Sequence, residues 1–166
     1  MIPLSVITVC YNPGAGFDKT HASLEAQNCK DFEWIIIDGA SSDGTAEKIH
    51  ALKRKHTSCI SEPDTGIYDA MNKGLKIAAG QRVWFMNAGD TFADEESVWK
   101  VNSNKNAGIC FGEALVRGAD GTLLGPRSEA TPHKTPTELE KGQFKKGMVL
   151  SHQAFIPRRE ICPMFA

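Results

Sequence analysis

Four short strand-like runs, the first of them rich in Val, Ile and Thr, punctuate the first half of the chain, and each breaks off in a polar cluster. Residues 4–10 (Leu-Ser-Val-Ile-Thr-Val-Cys) lead into Tyr11-Asn12-Pro13-Gly14, and residues 34–37 (Trp-Ile-Ile-Ile) lead into Asp38-Gly39-Ala40-Ser41-Ser42-Asp43-Gly44-Thr45. Residues 58–61 run into Glu62-Pro63-Asp64-Thr65-Gly66, and residues 82–86 into Asn87-Ala88-Gly89-Asp90. Runs that are apolar without alternation are what strands buried on both faces look like. Between them lie stretches of helical period. Phe17 and Leu24 mark residues 17–27, and Ala46, Ile49 and Leu52 mark residues 45–55, with Ser42 or Asp43 as N-cap. Ile67, Met71, Leu75 and Ala78 share one face of residues 67–79, which Gly80 ends. Strands alternating with helices over short connections predict βαβ units, hence an α/β fold with a mainly parallel sheet flanked by helices.

The second half is less regular. Residues 108–116 and Leu123-Leu124 are expected to pair as a hairpin through Gly118-Ala119-Asp120-Gly121, followed by a long surface loop over 125–142 and strand pieces at 148–150 and 154–156. At 166 residues the chain fits one domain. Its net charge of −1 offers no positive field for nucleic acid or an anionic membrane, so a bound phosphate needs a local device. The five cysteines are odd in number and contain no C-x-x-C pair, which argues against a zinc site or disulfide framework and for a reducing, cytoplasmic setting. No run approaches the ~18 apolar residues of a membrane span; peripheral association with a membrane stays open.

Ligands of an open parallel α/β sheet bind beyond the carboxyl ends of its strands, which is where all four polar clusters fall. A carboxylate such as Asp38 accepts an imino hydrogen or a ribose hydroxyl, and Tyr11 offers a ring face to a base. Asp90, at the end of a buried strand, suits a hard divalent cation bridging two phosphates.

These segments carry a specific resemblance. Residues 5–12 (Ser-Val-Ile-Thr-Val-Cys-Tyr-Asn) resemble the opening of family 2 glycosyltransferases, and Asp38-Gly39 through Asp43-Gly44-Thr45 matches their D-G-x-S-x-D-G-T signature. Residues 61–74 (Ser-Glu-Pro-Asp-Thr-Gly-Ile-Tyr-Asp-Ala-Met-Asn-Lys-Gly) and residues 147–155, which contain Ser151-His152-Gln153, are similar to segments of the bacterial branch serving colanic acid, capsule and lipopolysaccharide synthesis. Asn87-Ala88-Gly89-Asp90 stands where that family has its D-x-D metal motif.

The resemblance implies a single GT-A, Rossmann-like domain over 1–166, with a nucleotide-binding half (1–90) and an incomplete acceptor-side half (91–166). It implies an inverting transfer from a UDP-like nucleotide-diphosphate sugar to a saccharide or lipid-linked acceptor, helped by Mn2+ or Mg2+. Thr8, Tyr11, Asn12 and Asp38 would line the nucleoside pocket; Asp64 and Lys73 would lie near the diphosphate and sugar. Asn87, Ala88 and Gly89 would lie against the ribose and diphosphate, His152 would face the sugar or phosphates, and Asp90 would hold the metal.

Two departures qualify this expectation. The metal motif has an amide, Asn87, where an acid is usual, which weakens the cation site. The residues also stop before the acidic segment that supplies the family's general base, so the base is expected beyond Ala166, and a non-catalytic binder of nucleotide-sugar is the alternative reading. Simpler roles compete at several positions: Asp43-Gly44-Thr45 as a helix cap, Asp69 and Asn72 as solvated helix residues, His152 as a structural histidine, and Trp34, Trp84 and Trp99 as core. His21, His50, His56 and His133 are expected at the surface. A dinucleotide oxidoreductase is disfavoured because G-x-G-x-x-G is not met after the first strand, and a P-loop enzyme because G-x-x-x-x-G-K-[ST] does not occur.

Overall fold

A computed structural model describes residues 2–130, 136 and 150–165. Strands β1 (Leu4–Cys10), β2 (Glu33–Asp38), β3 (Thr57–Ser61) and β4 (Arg82–Phe85) form one parallel sheet in the order β3-β2-β1-β4. β1, β2 and β4 are buried throughout, as unbroken apolar runs require. Side chains alternate across the sheet. Leu4, Val6, Trp34, Ile36 and Trp84 pack with Phe17 and Leu24 of α1 (Ala15–Glu25), Ile49 of α2 (Thr45–His50) and Val98 and Val101 of α4 (Ser97–Ser103). Ile7, Val9, Ile35, Ile37 and Phe85 pack on the opposite face with Ala70, Met71 and Leu75 of α3 (Ile67–Ile77).

This division follows from handedness. The crossovers β1-α1-β2 and β2-α2-β3 step in one direction, whereas β3-α3-β4 steps back past β1; right-handed connections put helices of opposite steps on opposite faces. The reversal opens a crevice between β1 and β4 at their carboxyl ends. At the opposite end of the sheet the buried Glu33 carboxylate accepts from Ser5 Oγ at 2.5 Å and from the Ala79 and Gly80 amides at 2.7 and 3.0 Å. It therefore fixes the turn that leads α3 into β4.

Beyond β4 the chain adds β5 (Ile109–Phe111), antiparallel to β8 (Phe155–Pro157), and a bridge between Arg82 and Arg158 joins this pair to the β4 edge. β6 (Leu115–Arg117) and β7 (Leu123–Pro126) form a hairpin followed by a single turn, α5 (Arg127–Ala130).

Several expectations need correction. The helix expected over 45–55 ends at His50, because Arg54 leaves it to lie 4.2 Å over the Phe32 ring and to pair with Glu25, and His56, at φ 55°, turns the chain into β3. Gly44, at φ 89°, takes the cap position itself, while Asp43 Oδ1 accepts the Thr45 amide. The expected strand 108–116 splits at Gly112, whose amide binds the Ala154 carbonyl; only its last residues join the hairpin. Within the expected loop 125–142, Gly125 and Pro126 complete β7 and Arg127–Ala130 form a helical turn. The rest of that loop except Pro136, together with His133, Met148 and Val149, lies outside the described residues. Helix α4 was not foreseen; Asp94 starts it by accepting from the Glu96 amide and Ser97 Oγ. Trp99 on α4 is exposed rather than core, whereas Trp34 and Trp84 are core. His21, expected at the surface, stacks on Trp34 at 5.4 Å.

Candidate active site

At the carboxyl ends of β1, β2 and β3 the loops are laced together by short polar side chains. Cys10 pairs with Asp38 and Asp38 with Ser61 in the strand register, so the three loops leave the sheet side by side. Asp38 is fully buried: Oδ2 accepts from Ser61 Oγ at 2.6 Å and from the Ser41 amide at 3.1 Å, and Oδ1 accepts from Ser41 Oγ. Asn12, held at φ 47°, accepts the Ser42 amide on Oδ1 at 2.8 Å, and its own amide donates to Ser41 Oγ at 2.8 Å. Asp43 Oδ2 accepts the Gly14 amide at 2.7 Å. Tyr11 stands out from this frame, 69% exposed. A side chain at Gly39 would meet Asp64 Oδ2 at 2.6 Å and Tyr11 Cδ2 at 3.4 Å, so the Asp64 carboxylate and the Tyr11 ring edge converge above Gly39. The absence of a Cβ at Gly39 leaves the space that the tip of the Asp64 side chain occupies.

Across β1, the turn after β4 makes a second cluster. The Ala88 amide binds the Val9 carbonyl at 3.1 Å, and the Asp90 amide binds the Asn87 carbonyl at 2.9 Å. Thr20 of α1 fastens this turn, its Oγ1 lying 2.8 Å from the Asp90 carbonyl and accepting the Gly89 amide at 2.9 Å. Gly16 packs so tightly that a Cβ there would sit 3.3 Å from the Gly89 backbone. Asn87 Nδ2 lies 3.3 Å from His152 Nε2. Asn87 Oδ1 and Asp90 Oδ2 are both buried with no hydrogen-bond partner. Buried oxygens are seldom left unpaired, and burial pushes the Asp90 carboxyl up while it pushes the His152 imidazole down.

Two unpaired oxygens beside an imidazole fit a hard cation that takes its remaining ligands from phosphate and water. The described residues contain no cluster of three or more His, Cys, Asp or Glu able to hold a metal by themselves. A cleft of about 1180 Å³ extends from Gly89 and Asp90 past Trp84, Ser151 and Gln153 to Glu113 and Arg127.

The expected residues fall into two groups, with Thr8 and Lys73 outside both. Tyr11, Asn12, Asp38 and Asp64 gather at one end of the rim, and Asn87, Ala88, Gly89, Asp90 and His152 at the other. Asp64, expected near the diphosphate and sugar, lies with Tyr11 above Gly39. Thr8 is wholly buried and its Oγ1 accepts from Trp34 Nε1 at 2.9 Å, so its side chain serves the core rather than the rim. Lys73 donates to the Pro63 carbonyl at 2.8 Å and pairs with Glu62 at 2.9 Å, so its ammonium is turned to the β3–α3 loop. Ser41, Ser61 and Thr20 were missed. Ser41 stands in the D-G-x-S signature and was readable there; Ser61 and Thr20 have no sequence signal, because only the strand register and helix packing bring them in.

Known proteins resemble this chain in sequence and in fold. The chain is 26% identical over 162 residues to a PGL/p-HBAD biosynthesis glycosyltransferase of Mycobacterium bovis, covering 93% of this chain and 59% of the relative. It is 36% identical over 96 residues to an uncharacterized glycosyltransferase of Mycobacterium tuberculosis, covering 57% of this chain and 37% of the relative. The chain thus spans less than two thirds of the length of these relatives. Among solved structures, Staphylococcus aureus TarS 1–349 in complex with UDP-GlcNAc superposes with a TM-score of 0.69 at 20% identity, over 95% of this chain and 45% of that one. The mannosyltransferase PcManGT from Pyrobaculum calidifontis, in complex with GDP-Man and Mn2+, superposes with a TM-score of 0.57 at 20% identity, over 69% of this chain and 35% of that one. These two show a shared GT-A fold. The model of Glycosyl transferase family 2 matches residues 5–162, and the chain belongs to that family.

Proposed function

We propose that this chain binds a nucleoside diphosphate sugar along the rim, with the base at Tyr11 and Asp64 and the diphosphate at Asn87–Asp90, and serves transfer of the sugar to a hydroxyl acceptor. The observation that carries the reading is the pair of unpartnered buried oxygens, Asn87 Oδ1 and Asp90 Oδ2, at the β1–β4 switch point. The ring face of Tyr11 stacks the base. Asn12 and Asp38 keep the loops beneath it rigid, so little ordering is left to be done on binding. The turn at Ala88 and Gly89, its own amides tied to Val9 and Thr20, lies along the ribose and diphosphate.

A divalent cation, Mn2+ or Mg2+, held by Asp90 with Asn87 and His152, would neutralise charge on the departing diphosphate. Burial lowers the affinity of His152 for a proton, which favours the neutral imidazole near pH 7. The cleft lined by Trp84, Gln153, Glu113 and Arg127 gives the sugar and acceptor room on the far side of Asp90. In this reading the acceptor hydroxyl attacks opposite the diphosphate, with inversion at the anomeric carbon; the bond to the diphosphate breaks as the hydroxyl gives up its proton to a carboxylate base.

Relatives named for PGL/p-HBAD biosynthesis and for poly-β-1,6-N-acetyl-D-glucosamine synthesis support a saccharide or lipid-linked acceptor in bacterial surface glycan synthesis. No helix among the described residues is long and apolar enough to cross a membrane. A lipid-linked acceptor would then be met at a membrane surface, and the free cysteines suit its cytoplasmic side. Calorimetry with UDP and Mn2+ tests the site: binding should be lost in Asp90→Ala, and absence of binding at millimolar UDP or GDP, or indifference to Asp90→Ala, refutes it.

A further inference from the structure

We infer that Lys73 is a positioning residue for nucleobase recognition, acting by holding the β3–α3 loop so that Asp64 meets the base. The inference rests on the donor-binding reading above and assigns Lys73 to the opposite end of the donor from the one its motif suggested.

The loop from Glu62 to Gly66 is tied to α3 by two side chains one helical turn apart. Lys73 Nζ donates to the Pro63 carbonyl at 2.8 Å and pairs with Glu62 at 2.9 Å and with Asp69 at 3.5 Å. An ammonium has three protons, and these partners account for all of them. Asp69 Oδ2 in turn accepts the Thr65 amide at 3.2 Å. Glu62, Pro63 and Thr65 are thus anchored, and the residue enclosed between the anchors is Asp64. Its Oδ1 is committed to the Gly66 amide at 2.9 Å, which fixes the side-chain direction. Its Oδ2 is the oxygen that stands over Gly39, beside the Tyr11 ring.

A carboxylate oxygen accepts hydrogen bonds and donates none, so at the edge of an aromatic platform it favours a base that presents N–H groups, such as uracil or guanine. The phosphate-side cluster at Asn87–Asp90 follows β4, two strands away from β2 and its Gly39. The Lys73 amine, directed at the loop, therefore serves the base end.

The test measures binding of uridine and of UDP with Mn2+, and of guanosine and GDP as a second pair, to the wild-type chain and to Lys73→Met, Lys73→Arg, Asp64→Asn and the Lys73→Met/Asp64→Asn double variant. Amide hydrogen exchange at Thr65 and Gly66 is followed in parallel. Lys73→Met should weaken nucleoside and nucleoside diphosphate by one common factor of about three to ten, with partial rescue in Lys73→Arg. The double variant should bind no worse than Asp64→Asn, because the two changes act through one group. Exchange at Thr65 and Gly66 should quicken in Lys73→Met with or without ligand. A loss confined to the diphosphate would put Lys73 on the phosphates and overturn the inference, as would multiplicative losses in the double variant or unchanged exchange. Failure of the wild-type chain to bind any of the four probes refutes the donor reading instead, and the exchange measurement still decides whether Lys73 holds the loop.

Discussion

The side-chain amide of Asn72 grips the backbone of Phe165 at both its polar groups: Nδ2 donates to the Phe165 carbonyl at 2.9 Å and Oδ1 accepts the Phe165 amide at 2.8 Å. A helix side chain here imitates a strand neighbour, and it brings the Phe165 ring into a stack with Tyr68 at 5.5 Å and an edge contact with Phe85 at 5.4 Å. Asn72→Ala removes both hydrogen bonds and frees this segment from α3. The expected cost is about 1–2 kcal/mol in urea unfolding, with faster proteolytic cleavage near residue 163. Asn72→Asp keeps the acceptor and loses the donor, so it should fall between the two. If Asn72→Ala equals the wild type in both measurements, the contact contributes nothing to holding the segment.

The sheet was legible because its signal is redundant. β1 needs burial on both faces, and seven consecutive residues with no exposed position satisfy that in any sensible register. The rim followed from the sheet, since polar clusters after parallel strands can only gather at one edge. What stayed hidden depends on pairing between distant residues. Ser61 reaches Asp38 only because β3 lies in register with β2, and Thr20 reaches Gly89 only through the packing of α1. Lys73 is a subtler case. Its motif was visible, but the direction of a long flexible side chain is set by what it finds near it, here a carbonyl and two carboxylates. Trp99 misled because bulk and apolarity predict burial only on average.

Cys10 should be chemically silent. It is buried at the end of β1, and desolvation followed by the neighbouring Asp38 charge pushes its thiol up to about 12. The thiolate is the reactive form, so at pH 8 Cys10 is held almost wholly as the unreactive thiol. Iodoacetamide at pH 8, read by peptide mass spectrometry, should label the exposed Cys59 and leave Cys10 unmodified in the folded chain. Equal labelling of the two under native conditions would contradict the packing at the end of β1.

Two glycines should respond in opposite ways to the same added methyl group. At Gly74 a Cβ would lie 2.5 Å from Cγ2 of the fully buried Ile7, with no free direction for either to move. Gly74→Ala should therefore lose about 1–3 kcal/mol of stability by overpacking. At Gly39 the obstacle is the tip of a side chain, Asp64 Oδ2 at 2.6 Å, which can swing aside. Gly39→Ala should stay within about 0.5 kcal/mol of the wild type in urea unfolding while its UDP affinity falls, because the displaced carboxylate is the proposed base contact. Retained UDP affinity in Gly39→Ala would remove Asp64 from the base site.

The Asp90 cluster predicts a pH signature of its own. Burial raises the Asp90 carboxyl above 3.8, so between 3.8 and its raised value the folded chain holds more protons than the unfolded one, and this contribution to stability declines as pH rises. Burial lowers His152 below 6.5, so the folded chain holds fewer protons there; its contribution is complete above 6.5 and is lost as pH falls through the lowered value. A cation needs the ionised carboxylate and the neutral imidazole together. The rise in Tm given by Mn2+ with UDP, expected to be a few degrees at saturation, should hold near pH 7 and collapse on acidification between 6.5 and 3.8. Asp90→Asn should abolish that rise at every pH. Without metal the same variant should melt at or above the wild-type temperature near pH 7, because the amide removes a buried negative charge whose Oδ2 has no partner. A wild-type rise that persists unchanged to pH 4, or an Asp90→Asn variant that keeps it, would show that the cation is held elsewhere.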